Sequence, residues 1–359
     1  MIDEKIPVKH GEVTIGQFTT ESGVSLENVI ISYERAGPLD APIIFVCHAL
    51  TGNQYSIGTP ESPGWWSGLI GENKHIDTNK WQVITMNVLG GCSGSTGPTS
   101  ENEDHKPYNS TFPFITVRDI VRSHYLAMQQ LGIGEVHAII GGSLGGMQVL
   151  EWGIMYPDFA KLLFPLATAP YFSDYGIAYN TISRFAITND PSWKEGDYET
   201  NPHAGLSIAR MIGMISYRSR EQFNNRFDRE KREGWGQNHR EKAYQIESYL
   251  HYQGEKFVNR FDANSYLYLL KAMDSHDIGR GRGGWLEAIK LITAKVVAFS
   301  YKGDLIYPSE TTNQLVENLK HRNGASKHIE VDTIFGHDGF LVEFEKWGHV
   351  IEEELNESN

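Results

Sequence analysis

The sequence predicts an α/β fold in which a mostly parallel central sheet, flanked by helices, is interrupted by a helical insertion and then resumes. Three observations lead there. Short apolar runs alternate with helical stretches through the first half of the chain, the alternation stops near Thr168, and it returns at Lys295. Strand–helix alternation is the pattern of a parallel sheet covered by helices, because parallel neighbours need a crossover between them. The implied division is a core of residues 1–167 and 288–359, with a helical lid, or cap, over 168–287.

The elements read in order as follows. Ala41 to Cys47 is an apolar run that meets a loop at His48, and Trp81 to Val88 is a second strand followed by the glycine-rich GGCSGSTGP. Val117, Ile120, Val121, Tyr125, Met128 and Leu131 recur at helical spacing, and Gly132 and Gly134 close that helix. Val136 to Ile140 is a buried strand, the helix from Leu144 stops near Pro157, and Leu162 to Ala167 is a further strand. Past the insertion, Lys295 to Tyr301 and Lys327 to Val331 are strands. Phe340, Phe344, Trp347, Ile351 and Leu355 form a closing helical stripe.

Composition excludes several functions. The 359 residues are 40% hydrophobic and 21% charged, the balance of a globular protein with a sizeable core. A net charge of −13 argues against a partner in nucleic acid or an anionic membrane, since both need a basic surface. The two cysteines, Cys47 and Cys92, make neither a disulfide framework nor a metal-ligand spacing, and both read as packed thiols. The N-terminal MIDEKIPVKH has no apolar signal core and no apolar run approaches a membrane span, so the expected location is cytoplasmic.

The chemistry starts at Gly141-Gly142-Ser143-Leu144-Gly145, a G-x-S-x-G string with the strand VHAII before it and a helix after it. That context is the one a nucleophile elbow requires: glycines leave room for a sharp strand-to-helix turn that presents the serine. A serine hydroxyl needs a base to take its proton. The expected chain order is Ser, then an acid, then His. Asp304 follows the strand KVVAFSY, and His337 follows KHIEV between Gly336 and Gly339. His276 lies in the insertion, and His321 and His328 sit beside element ends, where structural or solvated roles are commoner. The expected oxyanion donors are the backbone N–H of Leu144 and that of Leu50 in the loop HALTG.

HALTGN, NVLGGCSGSTGP, GGSLGG, DPSWKEGDY, GLSIARMIGMISYRS, AMDSHDIGRGRGG and GHDGFLVE together resemble the homoserine O-acetyltransferase family of the α/β-hydrolase fold, over nearly the whole chain. The resemblance implies acetyl transfer from acetyl-CoA, a co-substrate rather than a bound cofactor, to the hydroxyl of L-homoserine, by a ping-pong route through Ser143. It also implies that Arg210 binds the substrate carboxylate, with Tyr217 and Asp338 as further pocket residues. From position alone, Arg210 and Tyr217 read equally as helix packing. One departure is Gly303, where the family usually has Ser before the acid. Sister enzymes that use succinyl-CoA or L-serine share most of these strings, and a serine hydrolase would use the same triad. Arg280 and Arg282 in the glycine-rich DIGRGRGG are candidates for CoA phosphates or for pairing with carboxylates of the insertion. The aromatic stretches SYLHYQ and SYLYLL, and the family likeness, point to a homodimer through the lid.

Overall fold

The computed structural model describes residues 8–233, 238–239, 242–320 and 325–358; His321 lies outside them. Eight strands form one sheet: β1 (Lys9–Thr19), β2 (Ser25–Ala36), β3 (Ile43–Cys47), β6 (Gln82–Met86), β7 (Val136–Gly142), β8 (Ala160–Leu166), β9 (Lys295–Tyr301) and β10 (Lys327–Val331). Their spatial order is β1-β2-β6-β3-β7-β8-β9-β10, and β4 (Ile70–Gly71) pairs with β5 (Ile76–Asp77) in a separate ribbon. The first two pairings are antiparallel and the remaining five are parallel.

Every residue of β6 and β7 is buried, as are most of β3, β8 and β9, which is how strands covered on both faces read. Consecutive side chains point to opposite faces. Phe45, Ile84, Ile139, Leu163 and Val296 pack into one apolar layer with α1 (Val117–Gln130) and α2 (Leu144–Met155). Ile44, Val46, Val83, Ile140, Phe164 and Val297 face a second layer with Trp66 and, at the C-terminus, Trp347, Ile351 and Leu355. A capping box starts α1: the Asp119 N–H donates to Thr116 Oγ1, and the Thr116 N–H donates to Asp119.

Two features differ from the expectation. The hairpin of β1 and β2 has no counterpart among the strands expected from sequence; β1 alternates between exposed and partly buried positions at the sheet edge. The closing stripe is also not one helix. Phe340 sits in a 3-10 turn over Gly336–Leu341 and Phe344 in another over Phe344–Lys346. Glu343, with φ of 49°, breaks the chain between them, and the last helix begins only at Gly348.

Between β8 and β9 the chain forms α3 (Asp174–Thr188), α4 (His203–Tyr217), α5 (Arg220–Phe227), α6 (Gln245–Val258), α7 (Ala263–Asp274) and α8 (Trp285–Ala288). α9 (Ser309–Lys320) and α10 (Gly348–Glu357) belong to the resumed core. The two ends of the inserted segment run side by side. The Phe172 N–H donates to the His276 carbonyl and the Ile278 N–H to the Pro170 carbonyl, both at 2.9 Å. His276 is part of this neck: its Nε2 lies 3.3 Å from the Ala169 carbonyl, and burial pushes its pKa to about 3.

An ionic network ties the neck to the core. Glu151 of α2 pairs with Arg118 Nε of α1 at 3.0 Å and with Arg282 Nη1 at 2.8 Å, while Arg280 Nη2 reaches Glu21 at 2.7 Å. Glu151 is 1% exposed. Removing one member of such a buried group leaves its partners charged and unpaired, which costs about 3 kcal/mol. Glu151→Ala should therefore lower the urea unfolding midpoint markedly, and Glu151→Gln should lower it less. An unchanged midpoint for the alanine variant would remove the network from the list of features that hold the insertion down.

Candidate active site

β7 lies in the middle of the sheet, between β3 and β8, and Ser143 is the residue between its end and the start of α2. The serine has φ of 58° and ψ of −122°, a strained conformation for a side-chain-bearing residue. It is held there by its neighbours. The Ser143 N–H donates to the Leu166 carbonyl at 3.0 Å, and its carbonyl accepts from the Met147 N–H at 3.0 Å. A Cβ on Gly145 would lie 2.1 Å from the Cys47 carbonyl oxygen, and one on Gly141 would lie 2.7 Å from it. The glycines of the elbow are thus needed for close approach of β3 to the first turn of α2.

Asp304 and His337 are brought together by the ends of β9 and β10. Asp304 Oδ2 accepts from His337 Nδ1 at 2.7 Å, and Oδ1 accepts from the N–H groups of Ile306 at 2.8 Å and Tyr307 at 3.0 Å. The His337 proton is therefore on Nδ1, leaving Nε2 as the basic nitrogen. Ser143 and His337 line the same cavity. Burial alone would lower the His337 pKa, but the Asp304 carboxylate outweighs it and holds the pKa above its ordinary value. Gly303 adopts φ of 77°, so the departure at this position leaves the acid in place.

The oxyanion loop has its own support. His48 is buried, and burial pushes its pKa to about 4, so the ring is neutral. Its Nε2 accepts from the Val88 N–H at 3.0 Å, which puts the proton on Nδ1, donating to the Ala49 carbonyl at 2.8 Å. The N–H groups of Leu50 and Leu144 donate to no acceptor among the described residues. These are the two donors expected from sequence, one on each side of the β3–α2 contact.

The cavity has a volume of about 220 Å³ and is roofed by residues of α3, α4 and α7. Arg210 and Tyr217 both project into it from α4, with the guanidinium 5.9 Å from the tyrosine ring. Arg210 has no ion-pair partner among the described residues. Asp338 also lines the cavity; burial raises its pKa, and Arg218 Nε, 3.2 Å away, opposes that rise. Arg280 and Arg282 are not brought to the site. They line neither this cavity nor the cleft outside it, because their guanidiniums are taken up by Glu21 and Glu151. Of the two roles expected from sequence, CoA phosphates or carboxylate pairing, the structure shows carboxylate pairing, with residues of the core rather than of the insertion. Both thiols lie high: burial lifts Cys47 well above its ordinary value and Cys92 to about 11.

The sequence reading missed Tyr307 and Arg218. Tyr307 supplies one N–H to Asp304, its ring centroid lies 5.3 Å from that of His337, and the Ser143 hydroxyl adjoins its phenol. Its only signal is its place three residues after the acid. Arg218 follows the Tyr217 that ends α4, and only folding shows that it meets Asp338.

Comparison with known proteins adds the following. Residues 42–351 match the family model described as the alpha/beta hydrolase fold. The homoserine O-acetyltransferase of Symbiobacterium thermophilum is 45% identical over 336 residues, covering 90% of this chain and 88% of that protein. The crystal structure of homoserine O-acetyltransferase from Bacillus anthracis superposes with a TM-score of 0.91 at 28% identity, covering 97% of this chain and 98% of that one. The esterase E22 crystal structure superposes with a TM-score of 0.90 at 26% identity, covering 97% of this chain and all of that one.

A base must be neutral to accept a proton, so a raised His337 pKa moves the acid limb of the rate profile upward in pH. The rate of Ser143 acylation should rise with pH through an apparent pKa above 6.5. Asp304→Asn removes both the raising charge and the partner that fixes the Nδ1 proton. It should move the limb to lower pH and cut the rate about 10⁴-fold. Stopped-flow acylation across pH 5 to 9 reads both effects, and an unmoved limb in the variant would mean another group sets it.

Proposed function

Because the chain belongs to the homoserine O-acetyltransferase family of the α/β-hydrolase fold, we propose that it transfers the acetyl group of acetyl-CoA to the side-chain hydroxyl of L-homoserine, as a cytoplasmic enzyme of methionine biosynthesis. The observation that carries this reading is the unpaired Arg210 guanidinium in the cavity that also holds Ser143 and His337. A planar fork of donors fits a carboxylate such as that of an amino-acid acceptor.

The geometry of the cavity supports the following steps. Ser143 Oγ attacks the thioester carbonyl while His337 Nε2 takes its proton. The oxyanion that forms accepts from the Leu50 and Leu144 N–H groups. The C–S bond breaks, His337 returns the proton to the leaving sulfur, and free CoA departs. Homoserine enters with its carboxylate on Arg210, and Asp338 with Tyr217 meets its remaining polar groups. His337 then takes the proton of the homoserine hydroxyl, whose oxygen attacks the acetyl-serine ester; Ser143 leaves and regains a proton from His337. The helical segment above the cavity acts as a lid that limits water in the second half-reaction.

The second copy of a homodimer would sit on the outer face of that lid. Of the two aromatic stretches expected to carry it, Tyr266, Leu269 and Leu270 of the second are buried in the monomer, while Tyr252 of the first stays exposed. Tyr175, Ile182 and Phe185 of α3, with Ile208 and Ile215 of α4, also stay exposed, on two helices packed against each other. An apolar stripe of this kind marks an association surface.

Thiol release from acetyl-CoA, with and without L-homoserine, tests the activity. Release should need both substrates and vanish in Ser143→Ala. Arg210→Ala should lower kcat/KM for homoserine about 100-fold, the loss of a charged hydrogen-bonded pair. Faster release with succinyl-CoA or L-serine would reassign the substrate, and release without any acceptor would make the enzyme a hydrolase. Light scattering should give a dimer mass, and Phe185→Glu should give a monomer; a monomeric unmodified protein would dispose of the lid interface.

A further inference from the structure

We propose that the Tyr307 phenol is a catalytic hydrogen-bond donor to Ser143 Oγ, engaged when the serine leaves the acetyl group and its oxygen takes up negative charge. The inference rests on the covalent Ser143 route of the transferase reading, and it adds a donor that neither the triad nor the oxyanion loop supplies. It starts from an unsatisfied group. Tyr307 is 1% exposed, and its hydroxyl is buried with no well-formed hydrogen bond to any described residue. A buried donor left unpaired destabilises the folded chain, so a hydroxyl held in that state calls for an acceptor that appears later.

The surroundings point to one acceptor. Asp304, Ser143 and Tyr217 are the polar groups about the phenol. Asp304 is already engaged, Oδ1 by the N–H groups of Ile306 and Tyr307 and Oδ2 by His337 Nδ1. The Tyr217 hydroxyl turns to that of Tyr266. Ser143 Oγ remains, and it adjoins the phenol. The ring is held where it is. It packs against His337, with centroids 5.3 Å apart, and against Phe172 of the neck, 5.9 Å away. Its own backbone N–H is pinned to Asp304 at 3.0 Å. One residue thus serves the acid with its backbone and the nucleophile with its side chain.

An ester oxygen is a weak acceptor and an alkoxide a strong one. As the C–Oγ bond of the acetyl-serine breaks, its electron pair goes to Oγ and the phenol O–H donates to it. His337 Nε2, holding the proton taken from the acceptor hydroxyl, then gives that proton to Oγ. The phenol keeps its own proton throughout. Burial, and then the Asp304 charge, hold the Tyr307 pKa well above its ordinary value, so it stays a neutral donor. A hydrogen bond that is poor in the resting site and good only as charge develops lowers the barrier rather than stabilising the ground state. In the first half-reaction the bond that breaks is C–S, so the phenol matters more in the second.

Tyr307→Phe tests this, because it keeps the ring against His337 and the N–H to Asp304 and removes only the hydroxyl. Acetyl-CoA and p-nitrophenyl acetate each load Ser143, read as a burst of thiol or nitrophenolate, and transfer to L-homoserine or to water is followed in a second mix. The variant should lose about 30-fold in the transfer step, the factor that corresponds to about 2 kcal/mol. Acylation should slow by less than about three-fold, with the acid limb of its pH profile unmoved. The urea unfolding midpoint should be unchanged or raised, since the hydroxyl removed was unpartnered. Tyr301→Phe removes a second buried, unpartnered hydroxyl, on β9 beside Asp304, and should change neither step by more than about two-fold. An unchanged transfer rate, equal losses in both half-reactions, a moved acid limb or a lowered midpoint would each overturn the assignment, the last three by making Tyr307 a positioning or packing residue. An equal loss in Tyr301→Phe would overturn it as well. No thiol burst from acetyl-CoA in the unmodified protein would overturn the transferase reading alone, because the nitrophenyl ester still loads Ser143 and water still has to break the C–Oγ bond.

Discussion

The contact on which the site depends is the approach of the β3 end to the first turn of α2. With a Cβ at Gly145 only 2.1 Å from the Cys47 carbonyl oxygen, no residue but glycine fits there without moving one of the two elements. That approach keeps the chain turning sharply at Ser143, and it places the loop leaving β3 beside the helix leaving β7. The two proposed oxyanion donors, Leu50 on one element and Leu144 on the other, are spaced by the same contact. The base is seated on it too. A Cβ at Gly142 would strike the ring of Phe340, whose centroid lies 5.4 Å from that of His337. Nucleophile, oxyanion donors and base therefore share one mechanical reference, and strain at the serine is balanced by sheet packing around it.

Electrostatics then selects which histidine does the chemistry. His48, His124, His137, His276 and His337 are all buried. Burial lowers His48 to about 4 and His124 and His276 to about 3, and each pairs with backbone rather than with a carboxylate. His137 is lowered for the same reason, beside the Leu355 carbonyl. Only His337 among these faces an acid, and only its pKa is raised. The neutral rings are architectural: a buried imidazole that never charges is a rigid two-ended connector, as His48 is between Val88 and Ala49. Asp304 and Asp338 divide in a similar way. The first is fixed by two N–H donors and the imidazole, and the second faces the cavity against an arginine.

Much of this was legible in the sequence because the reacting groups sit in short strings at strand ends. KVVAFSY and KHIEV become β9 and β10 over the residues expected, and Asp304 and His337 lie in the loops that follow them. What escaped was either weakly periodic or long-range. The β1–β2 hairpin lies at the sheet edge, where half-exposed positions dilute the alternation that buried strands announce. The closing aromatic stripe packs on one face as spaced, but Glu343 in a left-handed conformation makes it two turns and a helix. The pairing of Arg280 and Arg282 was hidden because their partners, Glu21 and Glu151, are 259 and 131 residues away in sequence. A cation's availability is a property of the fold, and no local string carries it. The same holds for Arg210, which makes no ion pair among the described residues although Asp338 lines the same cavity.

The position of Arg210 bears on why the reaction proceeds in two halves. It lines both the inner cavity and the outer cleft, so it stands at the mouth through which either substrate reaches Ser143. The inner cavity, at about 220 Å³, has room for a small amino acid or for the acyl end of a thioester, and both need the same space beside Ser143. A donor lying through the mouth would cover the guanidinium proposed to hold the acceptor's carboxylate. Departure of CoA uncovers Arg210 at the moment when the acetyl group is already on the enzyme. A covalent intermediate is thus what allows one narrow entrance and one cation to serve two substrates in turn. It also bears on water: a bound acceptor, held by its carboxylate, fills the space in which a water molecule would otherwise attack the ester.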